Sequence, residues 1–140
     1  MPLLRRGLRR PALIRSVAVT SLAVHHLAFR TRDLPTLQHF YTELFGFIVV
    51  REQPGHSVWL RAGESVLMLE IAAPDEPLIM PGSMEFVAFC VDDDGRNAVR
   101  EKLAAWGSAP EAETAYTTYL RDPDGRRVGV STYDFARAPW

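Results

Sequence analysis

The chain has 140 residues and a mass of 15.7 kDa, enough for one ordinary domain and too little for two. Its composition, 47% apolar and 24% charged, excludes a disordered chain, and no apolar run approaches the length of a membrane span. Sixteen basic against seventeen acidic residues net −1, which argues against a nucleic-acid surface and for small molecules or proteins as partners.

The charge is unevenly spread. Arg5, Arg6, Arg9, Arg10 and Arg15 fall in a head without acidic residues, and the remainder carries eleven basic against seventeen acidic groups. Arg15 interrupts the apolar stretch that an export signal needs, so residues 1–21 read as a disordered basic leader. Cys90 is the sole cysteine. It excludes an internal disulfide or a Cys-based zinc cluster and fits a reducing cytoplasm.

Leu22 to Thr31 is a β-rich apolar run that predicts a strand. Asp33 then offers a helix N-cap, Pro35 sits in the first turn, and Leu37, Phe40, Tyr41 and Leu44 recur at helical spacing up to Gly46. Phe47 to Arg51, Val58 to Arg61 and Ser65 to Ala72 predict three more strands, so the first unit, residues 22–74, is βαβββ. Residues 75–83, with Pro77, Pro81 and Gly82, form a linker too short to separate independent domains. The second unit, residues 84–135, repeats the order. It has a strand from Glu85 to Val91, a helix capped by Asp93 or Asp94 and ended by Gly107, and a short or irregular strand in Ala109 to Glu113. A hairpin of Tyr116 to Arg121 and Val128 to Tyr133 follows, around the turn Asp122-Pro123-Asp124-Gly125. Residues 136–140 are a tail.

The two units are one pattern written twice. His26 to Phe29 matches Phe86 to Phe89 at an offset of sixty, as Trp59-Leu60-Arg61 matches Tyr119-Leu120-Arg121, and Leu69-Glu70-Ile71 aligns with Val128-Gly129-Val130 after a one-residue slip. The repeated arginines, Arg61 and Arg121, are expected to bond the turns that follow them.

His25-His26-Leu27-Ala28-Phe29, Asp33-Leu34, Phe40-Tyr41, Leu44-Phe45-Gly46-Phe47, Phe89-Cys90-Val91-Asp92-Asp93 and the Asp122 to Gly125 turn together resemble the vicinal oxygen chelate superfamily. That group includes glyoxalase I, bleomycin- and fosfomycin-resistance proteins and extradiol dioxygenases. The resemblance implies an α+β fold in which two tandem βαβββ modules form a curved, partly closed eight-stranded sheet around a cavity, often completed by a homodimer partner. It also implies four metal-ligand positions, in the first and fourth strands of each module, which match His26, Glu70, Phe86 and Gly129. Two of these can ligate and two cannot. A His and one carboxylate fall short of the three donors a protein-held divalent ion usually needs.

Strand alternation puts His26, Ala28 and Arg30 on one face and His25, Leu27 and Phe29 on the other, so His25 does not rescue the metal set. His39 on the helix and His56 on a turn are no better placed. Met68 and Val66 share the Glu70 face, and Cys90 shares the face of Phe86 and Ala88. Phe86 and Gly129 suggest an apolar side to the pocket, with the glycine leaving room. The expected ligand-binding set is therefore Ala28, Arg30, Met68, Phe86, Ala88, Cys90 and Gly129. His26 and Glu70 are candidates for an acid–base pair or for an incomplete metal site.

No phosphate-binding glycine loop, zinc-protease helix or serine-hydrolase elbow is present in the sequence. The leading expectation is a homodimeric small-molecule-binding protein without a tightly held metal, with no nucleic-acid or membrane partner. The first alternative is a divalent-metal-assisted lyase, isomerase or dioxygenase using His26 and Glu70. The second is a structural or regulatory homodimer.

Overall fold

A computed structural model describes Val19 and residues 22–137, so most of the leader expected over residues 1–21 lies outside the described residues. The first module runs β1 (His26–Thr31), α1 (Leu34–His39), β2 (Ile48–Gln53), β3 (Ser57–Ala62) and β4 (Ser65–Ile71). The second runs β5 (Phe86–Cys90), α2 (Asp93–Ala105), β6 (Ala112–Glu113), β7 (Thr117–Arg121) and β8 (Arg127–Ser131). Each βαβββ unit makes its own four-stranded sheet, in the orders β1-β4-β3-β2 and β5-β8-β7-β6. The single eight-stranded sheet expected from the resemblance is thus corrected to two sheets. Each ends on one side in its first strand, β1 or β5, and no hydrogen-bonded ladder joins the two.

Local chemistry accounts for most boundaries. The Asp33 carboxylate accepts the Thr36 backbone N–H at 3.2 Å and the Thr36 hydroxyl at 2.7 Å, which sets the start of α1. Those bonds hold its pKa below the usual carboxylate range, the Thr36 hydroxyl contributing most. The helix continues from Phe40–Leu44 as a π-helical turn, where Phe40, Tyr41 and Leu44 stay buried, and Gly46 closes it at φ 71°. In the second helix the cap is Asp92, one residue earlier than expected. Its carboxylate accepts the Gly95 N–H at 2.7 Å, leaving Asp93 and Asp94 in the first turn. The expected short strand is the two-residue β6. The bend after it carries carbonyls that no ladder partner takes, and the buried Arg96 of α2 donates to the Thr114 and Ala115 carbonyls and to the Thr118 hydroxyl.

The modules pack through their helix-side faces. Leu27 and Phe29 of β1, Leu67 and Leu69 of β4, Val128 and Val130 of β8 and the helix residues Leu37, Tyr41, Val99 and Leu103 belong to one core. Phe89 meets Phe45 and Phe47 of the first module at ring separations of 5.6 and 4.9 Å.

One polar knot lies inside this contact. Asp122, at the head of the β7–β8 turn, is buried, and its Oδ1 accepts the backbone N–H groups of Asp124 and Arg126 at 2.9 and 3.0 Å. Its Oδ2 accepts the Tyr41 hydroxyl at 2.8 Å and Arg126 Nη1 at 2.6 Å. Arg126 also donates to the Arg30 carbonyl at 3.2 Å and lies 4.3 Å over the Phe29 ring. Burial and the adjacent carboxylate push the Tyr41 phenol pKa well above its ordinary value. The linker is held separately. Glu76 accepts Arg30 Nε and Nη2 at 2.7 and 2.8 Å and the Ala73 N–H at 2.9 Å, which lowers its pKa to about 2, chiefly through the Arg30 bonds.

Two outcomes follow. Asp122→Ala leaves Arg126 in the interior with only the more distant Asp124 carboxylate, at 3.9 Å, and is expected to destabilise the chain by about 3–5 kcal/mol, against about 1 kcal/mol for Tyr41→Phe, both measured by urea denaturation. Because the folded-state pKa of Glu76 is depressed, its contribution is present above the unfolded carboxylate pKa and is lost as pH falls toward 2. Amide protection at Ala73 and Glu76, measured relative to the unfolded chain at the same pH, is expected to fall over that window in wild type, and Glu76→Gln is expected to show the lower protection already at neutral pH.

Candidate functional site

Where β1 and β5 face each other across the gap between the sheets, two cavities open along the seam, each of about 430 Å3. One is lined by Ala28, Phe29 and Arg30 of β1, the linker residues Pro77, Leu78 and Ile79, and Glu85, Phe86, Val87, Arg126 and Arg127. The other lies between Leu27, Val66 and Leu67 on one side and Phe86 to Cys90 on the other. The C-terminal end of β1 therefore sits beside the N-terminal end of β5, and Phe86 and Val87 line both cavities. A third cavity, of about 390 Å3, lies between the Leu44 to Ile48 segment and α2 and holds Cys90 alone of the expected site residues.

Strand register decides which residues meet. In β1 and β4, Ala28 pairs with Met68 and Arg30 with Glu70; in β5 and β8, Ala88 pairs with Gly129 and Cys90 with Ser131. Met68 in turn pairs with Trp59, and Gly129 with Tyr119. The offset between the modules is sixty in β1/β5 and β3/β7 but sixty-one in β4/β8. This corrects the alignment made on sequence: the counterpart of Gly129 is Met68, and the counterpart of Glu70 is Ser131. Leu69-Glu70-Ile71 and Val128-Gly129-Val130 matched as apolar patterns only, and a slip of two keeps the same face, which alternation alone cannot detect.

The structure does not bring His26 and Glu70 together. His26 pairs with Val66, four rungs from the Arg30–Glu70 pair, and its Nδ1 lies 2.8 Å from that of His25. Glu70 sits 3.4 Å from Arg30, itself gripped by Glu76, and this arrangement raises the Arg30 pKa, with Glu76 as the main cause. The offset of sixty-one makes the two fourth-strand positions either Met68 and Gly129 or Glu70 and Ser131, so the set read from the sequence, His26, Glu70, Phe86 and Gly129, does not obey the symmetry of the chain. Among the described residues no three His, Cys, Asp or Glu side chains gather as a metal-binding group. The donors of one chain do not fit a divalent ion at these positions.

The other expected site residues divide as follows. Ala28, Ala88 and Cys90 are exposed on the open face; Arg30, Met68 and Phe86 are half-buried. Gly129 is buried, and the space a side chain would take there is already used: a Cβ would fall 1.9 Å from the Thr118 carbonyl oxygen and 3.3 Å from the Phe86 ring. The expectation that this glycine leaves room for a ligand is corrected, since the Thr118 carbonyl occupies that room and the Phe86 ring stands beside it. Phe86 stacks near Tyr119 at 4.6 Å, and Arg127 lies over both rings, 4.1 Å from Tyr119 and 5.7 Å from Phe86. In the first module the twin aromatic Trp59 carries Arg51 on its face at 4.7 Å, and its indole N–H is buried without an acceptor among the described residues. Arg121 bonds the following turn, as expected, through the Gly125 carbonyl at 3.2 Å, and it shares Glu111 with Arg127. That sharing lowers the Glu111 pKa, Arg121 contributing most.

Sequence reading missed Arg127, Arg126 and the linker wall at Pro77 to Ile79. Arg127 alternates with Gly129 on β8 and was accessible to the same alternation argument; the linker carries no periodic signal.

With this geometry established, likeness to known proteins is informative. The family model described as Glyoxalase/Bleomycin resistance protein/Dioxygenase superfamily matches residues 23–130. Among solved structures, a lactoylglutathione lyase from Agrobacterium tumefaciens is 24% identical, with a TM-score of 0.60 over 81% of this chain and 95% of that one. The fosfomycin resistance protein FosX from Mesorhizobium loti is 20% identical, with a TM-score of 0.63 over 85% and 96%. A possible glyoxalase from Bacillus cereus is 18% identical, with a TM-score of 0.65 over 79% and 99%. A comparison with curated proteins finds no match. At these identities the solved structures establish the shared two-module fold, and the family match over most of the chain establishes membership: the protein belongs to the glyoxalase/bleomycin resistance protein/dioxygenase superfamily.

Proposed function

We propose that the seam between β1 and β5 binds a small organic molecule without a tightly held metal ion, in a cytoplasmic homodimer. The observation that carries this reading is the strand register, which sets His26 four rungs from Glu70 and puts Glu70 beside Arg30, so that the two donors expected at the family positions do not converge. Gly129 adds to it, because a carboxylate at that site would have to displace the Thr118 carbonyl or the Phe86 ring. The seam itself is walled by apolar and aromatic groups, Leu27, Phe86, Val87 and Ala88, and this suits an organic ligand. Arg30 and Cys90 serve as polar lining in this reading, whereas His26, Met68 and Glu70 stand outside both cavities. The metal-assisted lyase, isomerase or dioxygenase reading would need donors from substrate or a second chain, since Glu70 is committed to Arg30.

The homodimer rests on what a single chain leaves uncovered. Ala28, Ala88 and Cys90 are open, and all of β2 except Gln53 is exposed, including Ile48, Val49 and Val50. An edge strand with three adjacent apolar residues is the kind of surface a second copy covers.

Metal content and thermal shift test the first part. An ion bound specifically and present at a hundred times its Kd adds about 2.7 kcal/mol and moves Tm by roughly 5–10 °C at this size. The expected result is substoichiometric metal after purification without chelator and no such shift with Mn2+, Ni2+, Fe2+, Zn2+ or Mg2+; a stoichiometric ion removed by His26→Ala would overturn the reading. For assembly, light scattering is expected to give twice the chain mass, falling toward the single-chain mass when Val49 is replaced by Lys. A single-chain mass at every concentration would discard the dimer.

A further inference from the structure

The two seam cavities differ in chemistry along one line. The cavity at the Arg30 end is lined by three guanidinium groups, Arg30, Arg126 and Arg127, and by one carboxylate, Glu85. The cavity at the Cys90 end has no charged lining residue: it is made by Val24, Leu27, Ala62, Ser65, Val66, Leu67 and Phe86 to Cys90. Phe86 and Val87 are common to both, so a single extended molecule lying along β5 would place one end among arginines and the other among apolar groups.

The three arginines are not equivalent. Arg30 is chelated by Glu76 through two nitrogens and faces Glu70 with the third. Arg126 spends its terminal nitrogens on Asp122 and the Arg30 carbonyl. Arg127 donates only Nε, to Glu111 at 3.2 Å, and that carboxylate is shared with Arg121, so two cations rest on one anion. Its two terminal nitrogens make no hydrogen bond among the described residues, while the plane of the group is fixed against Tyr119 at 4.1 Å. A guanidinium held over an aromatic ring, sharing its one carboxylate with a second cation and with both terminal nitrogens open, is a two-pronged receptor for a carboxylate.

Resting on the reading of the seam as the ligand site, we infer that its ligand is an organic carboxylate, bound with its carboxylate on the terminal nitrogens of Arg127 and its apolar body along Phe86, Val87 and Ala88 toward Cys90. Glu111 then tunes affinity, because it competes with the ligand for the same cation. Each cavity, at about 430 Å3, accommodates a ring or a medium alkyl chain.

Isothermal titration of the full chain with phenylacetate and octanoate, against phenylacetamide and octanol, tests this. At least one acid is expected to bind, with its neutral counterpart at least tenfold weaker, and whichever acid is favoured tells an aryl from an alkyl body. Arg127→Gln is expected to bring the acid down to the affinity of the neutral compound, Glu111→Gln to tighten it, and Ala88→Leu to block the apolar end. Should Arg127→Gln fail to fold by circular dichroism, Arg127→Lys keeps the charge without the planar fork and is expected to weaken the acid severalfold. Equal affinity for acid and neutral compound, with Ala88→Leu blocking both, would overturn the carboxylate and leave the seam as the binding site. Affinity unchanged in the Arg127 and Glu111 variants would also overturn it. No binding by any of the four compounds would overturn it too, whereas binding that appears only with an added divalent ion would bring down the metal-free reading beneath it.

Discussion

Asp122 is a buried carboxylate, and such a group persists in a protein interior only if every lone pair is used and a cation stands beside it. Here Oδ1 closes its own turn and Oδ2 takes the Tyr41 hydroxyl of the first module and Arg126. Arg126 reaches on to the Arg30 carbonyl and the Phe29 ring of β1. One hairpin turn thus fixes the position of β8 relative to both α1 and β1. Since β5 pairs with β8, the same knot sets the width of the gap between β1 and β5. The geometry of the seam cavities depends on that gap, and with it the standing of Arg127, the next residue after Arg126.

The duplicated scaffold has diverged unevenly. Some repeat positions keep their chemistry, as Trp59 and Tyr119 each carry an arginine on the ring face. The equivalent positions His26 and Phe86, and Met68 and Gly129, do not: one imidazole remains against a thioether, a phenyl ring and a hydrogen. A phenyl ring needs no polar partner, and at Gly129 the volume a side chain would have claimed is taken by the Thr118 carbonyl, with the ring beside it. The seam is apolar at one end and carries cationic groups at the other. The linker contributes to the same surface. Glu76 anchors it to Arg30, and the following Pro77, Leu78 and Ile79 then wall one cavity.

Much of the fold was legible in the chain. The βαβββ order, the Asp33 cap, the glycine stops, the turn at Asp122 and the short β6 each rest on interactions within a few residues, and short-range physics decides them. Legibility failed where a decision belonged to pairs of strands. Glu70 aligned with Gly129 on pattern, yet the ladder with β1 shifts it by two and delivers it to Arg30. A two-residue slip preserves inside and outside, so no hydrophobic pattern records it.

The sequence by itself determined the class of structure, the duplication, the two helices and the cap of the first, and which face of each strand turns to the core, because propensity, periodicity and turn chemistry are local. Tertiary structure alone decided that β1 and β5 end two separate sheets, that His26 and Glu70 lie apart, that the Thr118 carbonyl takes the space at Gly129, and that Arg127 has nitrogens to spare. Those facts depend on registers and on partners distant in the chain, such as Tyr41 for Asp122, eighty-one residues away, and the energies that select them arise only when the two modules pack.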